Sequence, residues 1–267
     1  MKINDINDQF NKYGIVKVKN FLDQDEIKKF KESIIKFGKP KKGTKKSIIF
    51  YEKMNFLNKV RNLSNIFSYK NFAKSKNLTP IANELFGSKS NLYYIDTYFS
   101  EINNSPVLDW HFDQAYSGRE NVKKSELLNP NSAAIKFFIY LSKTFSDNGC
   151  LSYIKGSNKI AYCLKKMIYK NIIPYKPYWK LNQFINLLND KSCYINLENE
   201  LGKNFIDEFL KNAQIANNET NHDHDFQCET GDMLIFDEAG CHRGSKILYS
   251  DRYVLRFLFK REKVENC

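Results

Sequence analysis

Gly231-Asp232-Met233-Leu234-Ile235-Phe236-Asp237, followed after a short link by Gly240-Cys241-His242-Arg243-Gly244, is the stretch on which the fold turns. The apolar run within Asp232–Asp237 reads as a buried strand that delivers a histidine just beyond its end. A polar loop then leads to a second strand signal over Arg252–Lys260. Upstream, Cys150–Ile154 reads as a strand between the turns Asp147-Asn148-Gly149 and Gly156-Ser157-Asn158. Ala133–Leu141 is almost continuously apolar, as a strand buried on both faces should be. Leu92–Phe99 is a tyrosine-rich strand, and Asn103-Asn104-Ser105-Pro106 has turn chemistry. Near the start, Gly14–Phe21 alternates apolar and polar residues, the mark of a half-buried strand.

Helices fill the spaces between. Asp23 caps a helix, with Glu26 three residues on to close a capping box. Ile27, Phe30, Ile34, Ile35 and Phe37 supply its apolar stripe, and Gly38-Lys39-Pro40 ends it. Thr79–Phe86 is a short helix closed by Gly87. Residues 160–228 change character and read as a helical insertion. The succession of elements predicts a mainly β chain with flanking helices, a sandwich or jelly roll, in a single domain over residues 1–267.

Composition excludes several classes. The chain has 267 residues, 42% hydrophobic and 27% charged, so it is neither disordered nor in need of a disulfide scaffold. No run of about 18 apolar residues suits a membrane span, and the polar start lacks the apolar segment of a secretory signal. The six cysteines form no C-x-x-C pair, which favours reduced thiols and a cytoplasmic setting. The net charge of +12 comes from scattered lysines with no aromatic-interleaved basic helix, so nucleic acid is disfavoured as a partner.

The four histidines are His111, His222, His224 and His242. In Trp110-His111-Phe112-Asp113, an extended backbone turns His111 and Asp113 to one face, about 7 Å apart along the chain. His242, from a remote strand, would complete two imidazoles and one carboxylate. That donor set leaves coordination positions open and suits non-haem Fe(II). A closed structural zinc site would instead take four protein ligands, commonly with sulfur. Arg252 and Arg256 share one face of the last strand, and either offers a planar fork for a carboxylate. His222-Asp223-His224-Asp225 has the look of a metal cluster but reads as a solvated loop. Cys241 and Trp110 alternate with the two candidate ligands and are expected to pack behind them.

Four blocks then resemble the phytanoyl-CoA dioxygenase family of Fe(II)/2-oxoglutarate oxygenases. They are Gly14-Ile15-Val16-Lys17-Val18 with its Asp23-capped helix, Trp110-His111-Phe112-Asp113, Asn148-Gly149-Cys150-Leu151 through Gly156-Ser157-Asn158-Lys159, and Gly231–Asp237 through His242-Arg243-Gly244-Ser245 to Arg252. Lys155 and Asn158 depart from the proline and histidine usual in the third block. The resemblance implies a double-stranded β-helix, cupin-like, with a helical lid insertion. It implies Fe(II) held by His111, Asp113 and His242, and 2-oxoglutarate as cosubstrate anchored by Arg252, with Arg256 as rival. Lys136 and Phe138 fall on the strand that lines the cosubstrate pocket in relatives. The implied reaction is O2-dependent hydroxylation of an unactivated C–H in a small metabolite, and the positive charge balance favours an anionic one, CoA-, carrier- or nucleotide-linked. Retention of the carboxylate Asp113 points away from halogenation. Nucleic-acid dealkylation and non-catalytic ligand binding are the alternatives. Oligomeric state is not legible.

Overall fold

The computed structural model describes residues 3–37, 46–50, 63–102, 108–113, 134–174, 176, 179–218 and 221–262. The expected turn at 103–106 and the helix stop at Gly38-Lys39-Pro40 lie outside them. Helix α1 (Ile3–Tyr13) leads into strand β1 (Ile15–Val18) and helix α2 (Gln24–Phe37). The expected capping box is present: Glu26 N–H donates to Asp23 Oδ1 at 2.8 Å, and Asp23 N–H to Glu26 Oε2 at 3.1 Å. Strand β2 (Lys46–Phe50) and helices α3 (Leu63–Ser75) and α4 (Leu78–Phe86) follow. Gly87 closes α4 at φ 60°, its N–H donating back into the last turn.

The strands are β3 (Ser90–Ser100), β4 (Leu108–Phe112), β5 (Ala134–Tyr140), β6 (Leu151–Tyr153), β7 (Trp179–Lys180), β8 (Asp225–Phe226), β9 (Met233–Asp237), β10 (His242–Gly244) and β11 (Arg252–Arg261). They form a six-stranded sheet in the order β1-β9-β5-β11-β3-β2 and a five-stranded sheet in the order β7-β4-β10-β6-β8. All the strand pairings within them are antiparallel. The first strand thus pairs with one from near the end of the chain, Ile15 opposite Phe236 and Val18 opposite Met233.

Alternation along each strand divides the molecule into layers. From β5 and β11, Ile135, Phe137, Ile139, Tyr253, Leu255, Phe257 and Phe259 pack against α1–α4. Their neighbours Tyr140 and Val254 face inward, joining Leu234, Phe236, Leu151 and Tyr153 between the sheets. Both faces of β11 are covered, so Arg252 through Phe259 are all buried, the two arginines included.

The insertion contains helices α5 (Ser157–Tyr169), α6 (Leu181–Leu187), α7 (Lys191–Leu201) and α8 (Lys203–Asn217). Their apolar faces bury Trp110, Phe112, Ile154 and Cys241 on the outer side of the five-stranded sheet. The helices therefore brace the sheet from the face opposite His111 and His242. The insertion also adds β7 to that sheet's edge, with His111 opposite Lys180 and Phe112 opposite Trp179. No described helix is long and apolar enough to cross a membrane.

Candidate metal centre

Strand register builds the site. On β4 and β10, His111 and His242 are direct cross-strand partners, so both imidazoles project from the inner face of the five-stranded sheet. Their ring centres lie 4.5 Å apart. Asp113 follows His111 by two residues and turns to the same side. Its Oδ1 is 3.2 Å from His111 Nε2, and its Oδ2 is 3.6 Å from His242 Nε2. One ligand atom from each of the three lies within 4.8 Å of the other two.

Each ring is held by the backbone two residues upstream. His111 Nδ1 lies 2.6 Å from the Asp109 carbonyl oxygen, and His242 Nδ1 lies 2.8 Å from that of Gly240. A carbonyl only accepts, so each Nδ1 carries a proton and each Nε2 is turned to the shared centre. Tyr153 stacks on His242 at 6.4 Å and 21°, and Phe236 meets the same ring at 5.6 Å.

The electrostatics suit a cation. Burial disfavours charge on His242 and pushes its pKa down to about 3, so the ring is a neutral ligand. Burial acts likewise on His111, but the Asp113 carboxylate beside it more than offsets this and its pKa is raised. Burial would raise Asp113, yet the Lys136 ammonium and the two histidines hold its pKa well below the usual carboxylate range. Once a cation displaces any proton from Nε2, two imidazoles with an ionised carboxylate form the donor set of open non-haem iron sites. Sulfur is absent from it: Cys241 is fully buried on the reverse face, where burial pushes its thiol pKa well up. The three donors therefore fit Fe(II).

Four further residues were singled out in the sequence. Arg252 and Arg256 share the inward face of β11, both buried. Arg252 donates from Nη1 to the Gly149 carbonyl at 2.9 Å and from Nη2 to Ser100 Oγ at 3.3 Å. Gly149 makes room for it: with φ +76°, a Cβ there would sit 2.7 Å from Arg252 Cδ. Arg256 lies over the ring of Phe138, 6.0 Å from its centre, and Phe138 in turn meets Phe236 at 5.0 Å. Lys136 reaches one of the candidate ligands, its Nζ 3.1 Å from Asp113 Oδ2, and also lies 2.5 Å from Glu238 Oε1.

Glu238 is a residue of the site that the sequence reading did not single out. The signal was present in β5: a lone lysine inside Ala134–Tyr140 requires an acidic partner once buried. His222 and His224 join other partners. His222 Nδ1 meets Asp225 Oδ2 at 2.9 Å, and His224 Nε2 meets the Asn212 carbonyl at 3.0 Å. Among the described residues, His111, Asp113 and His242 are the group placed to hold a metal. Trp110 packs behind His111 as expected and donates from Nε1 to the Ala216 carbonyl at 2.8 Å.

Comparison with known proteins agrees with this geometry. No curated protein matches the sequence. Among solved structures, the chain resembles HygX from Streptomyces hygroscopicus with nickel, 2-oxoglutarate and hygromycin B bound. The two are 14% identical over 94% of this chain and 84% of HygX, with a TM-score of 0.55. The epimerase SnoN, in complex with Fe3+, alpha ketoglutarate and nogalamycin RO, is 12% identical over 97% of this chain and 83% of its own, with a TM-score of 0.54. The carbocyclase SnoK from nogalamycin biosynthesis is 15% identical over 98% and 87%, with a TM-score of 0.51. These similarities show a shared fold. The model of the phytanoyl-CoA dioxygenase family matches residues 10–248, a span that contains all three candidate ligands and stops short of Arg252. The chain therefore belongs to the phytanoyl-CoA dioxygenase family of iron- and 2-oxoglutarate-dependent enzymes.

Proposed function

We propose that the protein hydroxylates an unactivated C–H bond of a small, anionic metabolite, with His111, Asp113 and His242 holding Fe(II). The observation that carries this reading is the pairing of His111 with His242 across β4 and β10, with both Nε2 atoms turned toward Asp113. When bound, iron and 2-oxoglutarate supply an O2-derived oxidant strong enough to attack such a bond. The chain supplies orientation. The two backbone carbonyls orient the imidazoles so that each Nε2 faces the metal position. Arg252 anchors the remote carboxylate of 2-oxoglutarate, supported by the space that Gly149 leaves for its stem. Phe138, on the inward face of β5 beside Arg256 and Phe236, adds apolar surface that helps exclude water.

Hydroxylation is proposed because Asp113 is retained as a ligand and Asp113, His111 and His242 leave positions open for cosubstrate and O2. The positive balance of the chain favours a substrate bearing phosphate or carboxylate. The described cysteines are free and buried, which fits a reducing cytoplasm.

The test supplies Fe(II), 2-oxoglutarate and O2 to the purified protein with a panel of carboxylated and phosphorylated metabolites. Succinate release coupled to gain of one oxygen atom in the product supports the proposal. Loss of two hydrogens, or a product of unchanged mass, overturns hydroxylation while leaving the cofactor chemistry intact. Arg252→Met should abolish 2-oxoglutarate binding. Retention of binding in Arg252→Met with loss in Arg256→Met would transfer the anchor to Arg256.

A further inference from the structure

We propose that Glu238 is a positioning residue of the metal centre: acting through Lys136, it fixes Asp113 so that a single carboxylate oxygen is offered to the metal. The inference rests on the iron-site reading above and adds a second layer to it. Its first support is backbone geometry. The β5–β9 ladder runs to Ile135 opposite Asp237, and one further bond, Glu238 N–H to the Ala134 carbonyl at 3.1 Å, extends it past the end of β9. That bond sets Glu238 beside the start of β5, two residues from Lys136.

The second support is the ion chain. Lys136 Nζ stands between Glu238 Oε1 at 2.5 Å and Asp113 Oδ2 at 3.1 Å. The Lys136 and Glu238 side chains are only 8% and 9% exposed. The ammonium also lies 5.9 Å from the centre of the Phe236 ring, which touches His242. A buried ammonium needs negative charge close by. Were Asp113 its sole counter-ion, one carboxylate would have to neutralise the lysine and ligate the metal. Glu238 supplies the second negative charge and leaves that of Asp113 to the metal.

The consequence concerns coordination number. A carboxylate bound through both oxygens would take two of the six positions of an octahedral ion; bound through one, it leaves three open beside the two imidazoles. Three is what a chelating cosubstrate and O2 together require. Lys136 occupies Oδ2, so Asp113 presents Oδ1.

The test measures Mn(II) binding by calorimetry on metal-free protein without cosubstrate. The pair Lys136→Met with Glu238→Gln removes one charge of each sign, so long-range attraction for the cation is nearly unchanged. Loss of about tenfold or more in affinity is expected, as for other partners of metal ligands. Glu238→Asp, which keeps both charges and shortens the reach, should weaken binding in the wild type and have no effect in a Lys136→Met background. It carries the test if the pair does not fold. The electron paramagnetic resonance spectrum of bound Mn(II) should also change in the pair, which a purely structural role would not produce. Binding within about twofold of wild type in both the pair and Glu238→Asp overturns the proposal. A wild-type protein that takes up no Mn(II) overturns the metal-centre reading itself, and this proposal with it.

Discussion

Replacing Gly240 by alanine should disturb both stability and the metal centre. A Cβ on Gly240 would lie 1.9 Å from Tyr153 Oη, 2.2 Å from Cζ and 2.7 Å from Cε2. Real Cβ contacts are essentially never below 3.0 Å, so Tyr153 must withdraw by at least the 1.1 Å between 1.9 and 3.0. It has little room to do so. The residue is fully buried, and its hydroxyl also fills the space beside Gly14, where a Cβ would sit 2.5 Å away. Gly240 is not at positive φ, so the effect is steric. Overpacking of a tight core costs about 1–3 kcal/mol, and this site belongs at the upper end. For a chain of this size, about 3 kcal/mol lowers the melting temperature by roughly 6–12 °C. The metal centre should weaken too, because the Gly240 carbonyl holds His242 Nδ1 and the Tyr153 ring stacks on the same imidazole. Urea unfolding gives the stability change and Mn(II) calorimetry gives the affinity. The decisive control is Tyr153→Ala, in which the added methyl has space and Gly240→Ala should become nearly neutral. A Gly240→Ala protein within about 0.5 kcal/mol of wild type, or one with the same loss in both backgrounds, would refute the reasoning.

Three further outcomes are expected. Metal-free protein should lose stability below pH about 6.5, because the unfolded chain protonates His242 while the buried ring resists down to about 3. The slope is at most about 1.4 kcal/mol per pH unit, and it steepens once Asp113, lowered in the fold, must also be protonated. His111, raised in the fold, contributes stability below pH about 6.5 that is lost as pH rises through its folded pKa, so it does not cancel the acid slope. A urea midpoint that stays flat from neutral pH to about 4 would contradict this. Asp23→Ala removes one half of the capping box and should cost about 1 kcal/mol in urea unfolding with no change in Mn(II) affinity. Gly149→Ala should cost about 1–2 kcal/mol from its left-handed backbone alone. It should also displace Arg252, so 2-oxoglutarate binding to the metal-loaded protein weakens; unchanged binding would dissociate Arg252 from the cosubstrate.

The strands were legible because their burial pattern is written in residue type. The apolar run of β5 and the alternation of β1 need no knowledge of partners, and boundaries read from them fall within a few residues of those observed. The helix after Asp23 was readable for the same local reason, since its cap closes over three residues. The two-residue strand β7 was not. Trp179-Lys180 is too short for any periodicity, and its pairing with β4 exists because the insertion folds back on the sheet edge. Strand β2 was likewise missed in a segment of mixed polar and aromatic residues.

By itself, the sequence determined the donor types and the local geometry of the candidate metal centre. H-x-D on an extended strand turns a histidine and an aspartate to one side, and a third ligand on a later strand follows from motif order. Tertiary structure alone decided that His242 stands opposite His111, that the carbonyls of Asp109 and Gly240 hold the rings, and that Lys136 and Glu238 meet at Asp113. The physical reason is range. Side-chain direction along a strand is set by residues two apart, whereas register between β4 and β10, and the ion chain from Glu238 to Asp113, depend on which distant segments pack together. No spacing along the chain encodes that packing.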